Sequence, residues 1–246
     1  MKHIVSVIVP FAVACFLVDA ALAQPPKRRS DRSGFEFGGA PEIDKAPLAK
    51  DDGEKRALEA LDEMTKGKWY LNVNSREGRV LRQLTEALGA KRVVEIGTSS
   101  GYSTIWLALG ARAAGGKVFT HEIDPEKVKM ASENFKKAGV DDLITIIEGD
   151  AHETIKQHKE PIDVLFLDAE KKGYIDYLKQ LLPLVRPGGV ILGHDMHRPM
   201  PDPRYIEAIT TNPDLDTSFI MMESYGISMT MKNFPNKPKR IFCPLR

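Results

Sequence analysis

The sequence has little cysteine, only Cys15 and Cys243 among 246 residues, which excludes a disulfide-rich framework. It has no excess charge of either sign. Its 35 lysines and arginines face 34 aspartates and glutamates, for a net charge of +1. That balance excludes a global field that would draw in nucleic acid or an acidic partner. The basic clusters Lys27-Arg28-Arg29 and 237–240 are read as solvated tail charge. There is no internal repeat. No two histidines fall at i, i+4, so His121, His152, His158 and His197 are read as surface or packing residues. The Gly-x-Gly-x-x-Gly turn that receives a pyrophosphate is missing, which disfavours a nucleotide-dependent dehydrogenase. What is present is ordinary: 42% hydrophobic and 28% charged residues, at a length that suits one α/β domain plus a tail.

One apolar run stands apart. Lys2 and His3 precede Ile4 to Val18, and Ala21-Leu22-Ala23 has the small-x-small pattern of a signal-peptidase site. Residues 1–23 are therefore expected to be a signal peptide, with Gln24 as the new N-terminus. Pro10 and Asp19 interrupt the run, which is short for a membrane span. The expected location is exported, periplasmic or secreted, with no stable membrane span after cleavage; a retained anchor is the alternative. Cleavage would remove Cys15 and leave Cys243 without a partner. Residues 24–50, rich in proline, glycine and charge, read as a flexible linker, and 51–246 as the folded domain.

Within that domain Leu58, Leu61 and Met64 predict an amphipathic helix. Asn74-Ser75-Arg76-Glu77 reads as the start of a second helix that stops at Gly89. Apolar runs then recur at Arg92–Ile96, Lys117–Glu122, Ile144–Glu148, Val164–Asp168 and Val190–Gly193, with helical patterns between them. Asp124-Pro125-Glu126 is a helix start with an N-cap and a first-turn proline. Arg186-Pro187-Gly188-Gly189 reads as a turn feeding the fifth strand. Thr217–Met222 and Gly226–Met231 read as an antiparallel hairpin. The fold class is α/β: a doubly wound, mostly parallel seven-stranded sheet with an antiparallel C-terminal hairpin.

The chemistry concentrates at strand ends. Glu95-x-Gly97-x-x-x-Gly101 follows the first strand, where an open α/β sheet binds ligands. Glycines let the backbone approach a ligand closely. An acid there suits a cationic ligand better than a phosphate, and a sulfonium with an amino-acid head is such a ligand. A tight βα turn without a ligand is the bland alternative. Glu122 ends the second strand, where a carboxylate can accept ribose hydroxyls. Asp150 and Ala151 follow the third strand, where they face an adenine or where Asp150 caps a helix.

Several segments occur in a suggestive order: Leu71-Asn72-Val73-Asn74, Glu95 to Ser103, Thr120 to Pro125, Phe166 to Lys171 and Pro187-Gly188-Gly189. With these the chain, from about Leu58 to Lys232, resembles the S-adenosylmethionine-dependent O-methyltransferases of the catechol and caffeoyl-coenzyme A type. The resemblance implies a Rossmann-like methyltransferase fold and methyl transfer to a hydroxyl of a small, phenolic or catechol-like acceptor. It implies that Val73, Glu95, Gly97, Ser99, Gly101, Ser103, Glu122, Asp150, Ala151 and Asp168 surround the cofactor. It implies Lys171 as general base, with Asp168 serving catalysis and a magnesium-like cation. Asp195 or, in a shifted alignment, His194 with Asp195 completes the metal set, because Met196 stands where the family pattern has asparagine. The resemblance allows a homodimer. An exported cofactor-binding module of the same fold with little turnover is the alternative function.

Overall fold

Seven strands form one sheet in the order β3-β2-β1-β4-β5-β7-β6. The computed structural model describes residues 45–66, 72–197 and 201–235. The expected signal segment 1–23, residues 24–44 of the expected linker, and Cys243 lie outside the described residues. The strands are β1 Arg92–Ile96, β2 Lys117–Glu122, β3 Ile144–Glu148, β4 Ile162–Leu167, β5 Val185–His194, β6 Leu215–Ile220 and β7 Ile227–Lys232. β1 to β5 pair in parallel, whereas β7 runs antiparallel to both β5 and β6. The last strand among the described residues, β7, is thus threaded between β5 and the edge strand β6.

Helices cover both faces. They are α1 Asp52–Lys66, α2 Ser75–Ala87, α3 Tyr102–Arg112, α4 Pro125–Ala138, α5 Ala151–Thr154, α6 Tyr174–Leu181 and α7 Pro203–Thr211. Because successive strand residues point to opposite faces, Val93, Val164 and Phe166 join an apolar cluster with residues of α1, α2 and α3. Val94, Ile96, Leu165 and Leu167 join the opposite cluster, with Tyr174, Tyr177 and Tyr205. Strands buried on both faces read as unbroken apolar runs, which is why their sequence signal is clear.

Local signals explain the helix starts. Asn74 caps α2 in a reciprocal box: its side chain accepts from the Glu77 N–H, while Glu77 accepts from the Asn74 N–H. Asp124 caps α4 and Pro125 occupies its first turn. The fifth strand departs from expectation. It begins at Val185, so Pro187-Gly188-Gly189 lies inside it rather than before it. Ile162 pairs with Val185, but two residues later Val164 pairs with Val190. The surplus residues form a bulge, and the glycines that permit it give the local sequence the look of a turn.

Candidate active site

The sheet order reverses between β1 and β4, so their carboxyl ends frame the site. On the β1 side, Glu95 is fully buried. It accepts hydrogen bonds from Ser103 Oγ (2.6 Å), Thr104 Oγ1 (2.5 Å) and Thr120 Oγ1 (2.6 Å). Thr120 is its register partner on β2, and Thr98 Oγ1 lies 2.6 Å behind the Thr120 hydroxyl. Burial pushes the Glu95 carboxyl up to about 7, against the pull of those three hydroxyls.

Glu122 ends β2 with its carboxylate clamped by backbone. Oε2 accepts the Ser99 N–H at 2.8 Å, and Oε1 accepts those of Ile123 and Asp124 at 3.0 Å each. The Ser99 bond ties the glycine turn to the second strand, and Ser99 adopts φ 48° to make it. A cleft beside the turn is lined by Gly97, Glu122, Gly149, Asp150, Ala151 and Glu170, among others. Asp150 both lines this cleft and caps α5, accepting from the His152 N–H at 2.9 Å. Val73 is buried in the apolar cluster under the same face of the sheet as α2 and α3.

Gly97 joins the two halves of the site. Its φ is 102°, and a Cβ there would lie 2.4 Å from the Asp168 carbonyl oxygen. Only glycine permits that approach. Asp168 immediately follows β4, and its N–H bonds the Ile96 carbonyl at 2.9 Å.

On the β4–β5 side, Asp168, His194 and Asp195 offer ligand atoms that all lie within 4.8 Å of one another. Lys171 Nζ reaches Asp195 Oδ2 (2.8 Å), Asp168 Oδ1 (3.2 Å) and Tyr174 Oη (2.8 Å). The buried Tyr174 hydroxyl donates to the Leu167 carbonyl at 2.7 Å, so it presents a lone pair to the lysine. His194 ends β5 and is almost wholly buried. Its Nδ1 is 3.1 Å from Asp168 Oδ1, and its Nε2 is 3.2 Å from Glu77 Oε2. Burial opposes charge on this imidazole, but Asp168 and Glu77 outweigh it and raise its pKa to about 10. Asp195 adopts φ 60°, a region that aspartate tolerates better than most residues. Met196 turns away into the apolar cluster of Tyr174 and Tyr205. The structure thus brings His194 and Asp195, adjacent in sequence, together with Asp168 in one cluster.

Other residues of the site carry weaker sequence signals. Glu77 was legible as a capping residue, but not as the partner of a histidine 117 positions away. Tyr174, which belongs to no motif in the sequence, also holds Lys171. Glu170 accepts from Tyr177 Oη at 2.5 Å, and His152 stacks on the Tyr177 ring with centroids 4.7 Å apart. The histidines are not all separate either. His121 and His158 are buried and bonded, Nε2 to Nε2, at 2.8 Å. Arg92 can only donate, so His158 Nδ1 accepts from it at 3.0 Å. His158 Nε2–H then donates to His121, and His121 Nδ1–H donates to Thr154 Oγ1 at 2.7 Å. Burial holds both rings below their ordinary pKa, His121 at about 3 and His158 at about 4, with the His158 ring and the Arg92 guanidinium respectively adding to the effect.

A family model described as O-methyltransferase matches residues 46–196. A catechol O-methyltransferase of Niastella koreensis is 33% identical over 168 residues, covering 67% of this chain and 73% of that protein. A catechol O-methyltransferase of Mycobacterium tuberculosis is 39% identical over 121 residues, covering 49% of this chain and 54% of that protein. Among solved structures, an O-methyltransferase of Bacillus cereus in complex with SAH superposes with a TM-score of 0.64 at 29% identity. That match covers 78% of this chain and 96% of the other.

Proposed function

The chain belongs to the O-methyltransferase family, and from that premise we propose that it transfers a methyl group from S-adenosylmethionine to a hydroxyl of a small, catechol-like acceptor. One observation carries the reading: the backbone of Asp168 lies against Gly97, so the Glu122 cleft and the Asp168–Lys171–His194–Asp195 cluster share a wall. A cofactor in the first and an acceptor at the second would be held side by side, and such positioning supplies much of the barrier reduction in a displacement reaction.

S-adenosylmethionine supplies an electrophilic methyl carbon on a sulfonium. The acceptor oxygen gains that methyl, the carbon–sulfur bond breaks to leave SAH, and the hydroxyl proton must go elsewhere. Glu122 would accept the ribose hydroxyls, since three backbone N–H groups already fix its direction. Asp150 and Ala151 would border the adenine. Glu95 is sealed beneath the turn, so it would act through Ser103 and the shape of the Gly97–Gly101 turn. Ser99 and Val73 would complete that wall. Lys171 Nζ would receive the acceptor proton, with Tyr174 Oη keeping it in place.

Asp168, His194 and Asp195 fit a divalent cation, since two carboxylates and an imidazole converge within 4.8 Å. Such a cation supplies the Lewis acidity that lowers the pKa of an acceptor hydroxyl, which for a phenol is ~10. Asp168 and Asp195 are also the partners of Lys171. Their engagement by a cation would release the lysine for its role as base.

Residues 1–23 are proposed to be an export signal. Among the described residues no helix is long and apolar enough to cross a membrane. Mass spectrometry of the secreted or periplasmic fraction should find Gln24 at the N-terminus; intact residues 1–23 would refute the signal. Calorimetric titration with S-adenosylmethionine, followed by assay with catechol and magnesium or manganese, tests the function. Saturable binding with methylated product is expected. Absence of binding at millimolar cofactor would overturn the reading, and binding without turnover would favour a module that only holds the cofactor.

A further inference from the structure

From the metal-assisted reading above, we infer that Glu77 and His194 form a carboxylate–imidazole pair that makes this site prefer a nitrogen-accepting first-row cation, such as Co²⁺, to Mg²⁺. The imidazole offers Nδ1 on the side of Asp168 and Asp195, at 3.1 and 3.6 Å from their nearest carboxylate oxygens. Its other nitrogen, Nε2, points into the protein toward Glu77. Glu77 is fully buried and cannot swing away, because the same Oε2 accepts the Asn74 N–H at 2.9 Å. Its second oxygen is buried with no hydrogen-bond partner among the described residues. The Asn74 N–H and the imidazole N–H are thus the donors to this carboxylate, and the imidazole takes its orientation from it.

Metal-binding histidines are commonly fixed in this way. A carboxylate behind the ring selects the tautomer, aims the free nitrogen and raises its basicity. Imidazole suits first-row transition cations, whereas Mg²⁺ favours an all-oxygen set and sheds water reluctantly. Met196 does not compensate, since its side chain is sealed in the apolar cluster. The capping box of α2 thereby acquires a second role. It delivers Glu77 to the end of β5, across 117 residues of sequence.

The test uses the whole chain, stripped of metal, with Co²⁺, Mn²⁺ and Mg²⁺ as probes. Pulsed EPR of the Mn²⁺-loaded protein should show ¹⁴N modulation from a bound imidazole. His194→Asp should abolish that modulation and narrow the ratio of Co²⁺ to Mg²⁺ affinity by at least ~10-fold. Glu77→Gln should weaken Co²⁺ binding by ~10–100-fold, with S-adenosylmethionine affinity retained. If Glu77→Gln does not fold, the spectrum of the unaltered protein and the His194→Asp ratio still decide. Mn²⁺ bound without ¹⁴N modulation, or an unchanged ratio in His194→Asp, would overturn the inference while leaving metal assistance standing. Failure of all three cations to bind at millimolar concentration would overturn both.

Discussion

The two halves of the site satisfy their carboxylates differently. On the β1–β2 side Glu95 and Glu122 are held by neutral donors, hydroxyls and backbone N–H groups, and most of these lie within ten residues of the acid they hold. On the β4–β5 side the carboxylates of Asp168, Asp195 and Glu77 face the cationic groups of Lys171 and His194, drawn from separate elements. Neutral donors arranged by one turn fix a shape. Opposed charges, brought together from the ends of β4 and β5 and from α2, hold one another instead. The first half thus resembles a mould and the second a socket.

Lys171→Ala is the strongest way to break that distinction. It should lower kcat by ~10²–10⁴-fold, the usual worth of a positioned base, and leave cofactor affinity within twofold. Equal loss of both would mean the lysine merely braces the fold. Glu122→Gln addresses the other half. Loss of charge-assisted bonds should weaken S-adenosylmethionine binding by ~10–100-fold, while metal affinity measured by competition stays constant. Gly97→Ala should damage both halves together, because the added methyl meets the Asp168 carbonyl in a backbone conformation alanine resists. A loss exceeding ~1 kcal/mol is expected, seen as a Tm several degrees lower with weaker binding of cofactor and metal alike. Independent behaviour of the two affinities would show that the shared wall does not couple them.

The smallest effect concerns the histidine pair beneath the cleft. Their folded pKa values, about 3 and about 4, lie below the ordinary 6.5. The unfolded chain therefore takes up protons first as pH falls. Stability from the neutral pair is present above about 6.5 and is lost as pH drops through those values. Glu95 has the opposite sign. Its folded value of about 7 lies above the ordinary 4.5, so its contribution is present below 4.5 and is lost as pH rises through about 7. Thermal melts between pH 4.5 and 8 should show His158→Gln with a shallower acid decline than the parent, by a few degrees. Glu95→Gln should flatten the rise-side loss instead. Parallel curves for all three proteins would contradict both assignments.

The contrast also explains what the sequence made legible. The glycine turn, Glu122 and the caps at Asn74 and Asp124 are local devices, whose chemistry and spacing lie within a few positions of each other. The doubly buried strands announce themselves as apolar runs. The socket is assembled by pairing across the sheet. That Glu77 reaches His194, or that Tyr174 holds Lys171 while bonded to the Leu167 carbonyl, depends on how elements stack rather than on neighbouring letters. The start of β5 was missed for a related reason: a bulge built from Pro187-Gly188-Gly189 has the composition of a turn, and only pairing with β4 distinguishes them. The buried histidine pair, 37 positions apart, gave no periodic signal at all.

The threading of β7 between β5 and β6 has a consequence for biogenesis. Residues 227–232 are the last to be made of the seven strands, yet they occupy an interior lane of the sheet. During synthesis, β5 must wait with an unpaired flank that runs up to His194, and β6 has no neighbour to join. Exposed strand edges invite pairing with other chains. Those edges stay open to association until β7 arrives, and the margin of the Asp168–His194–Asp195 cluster closes only with it.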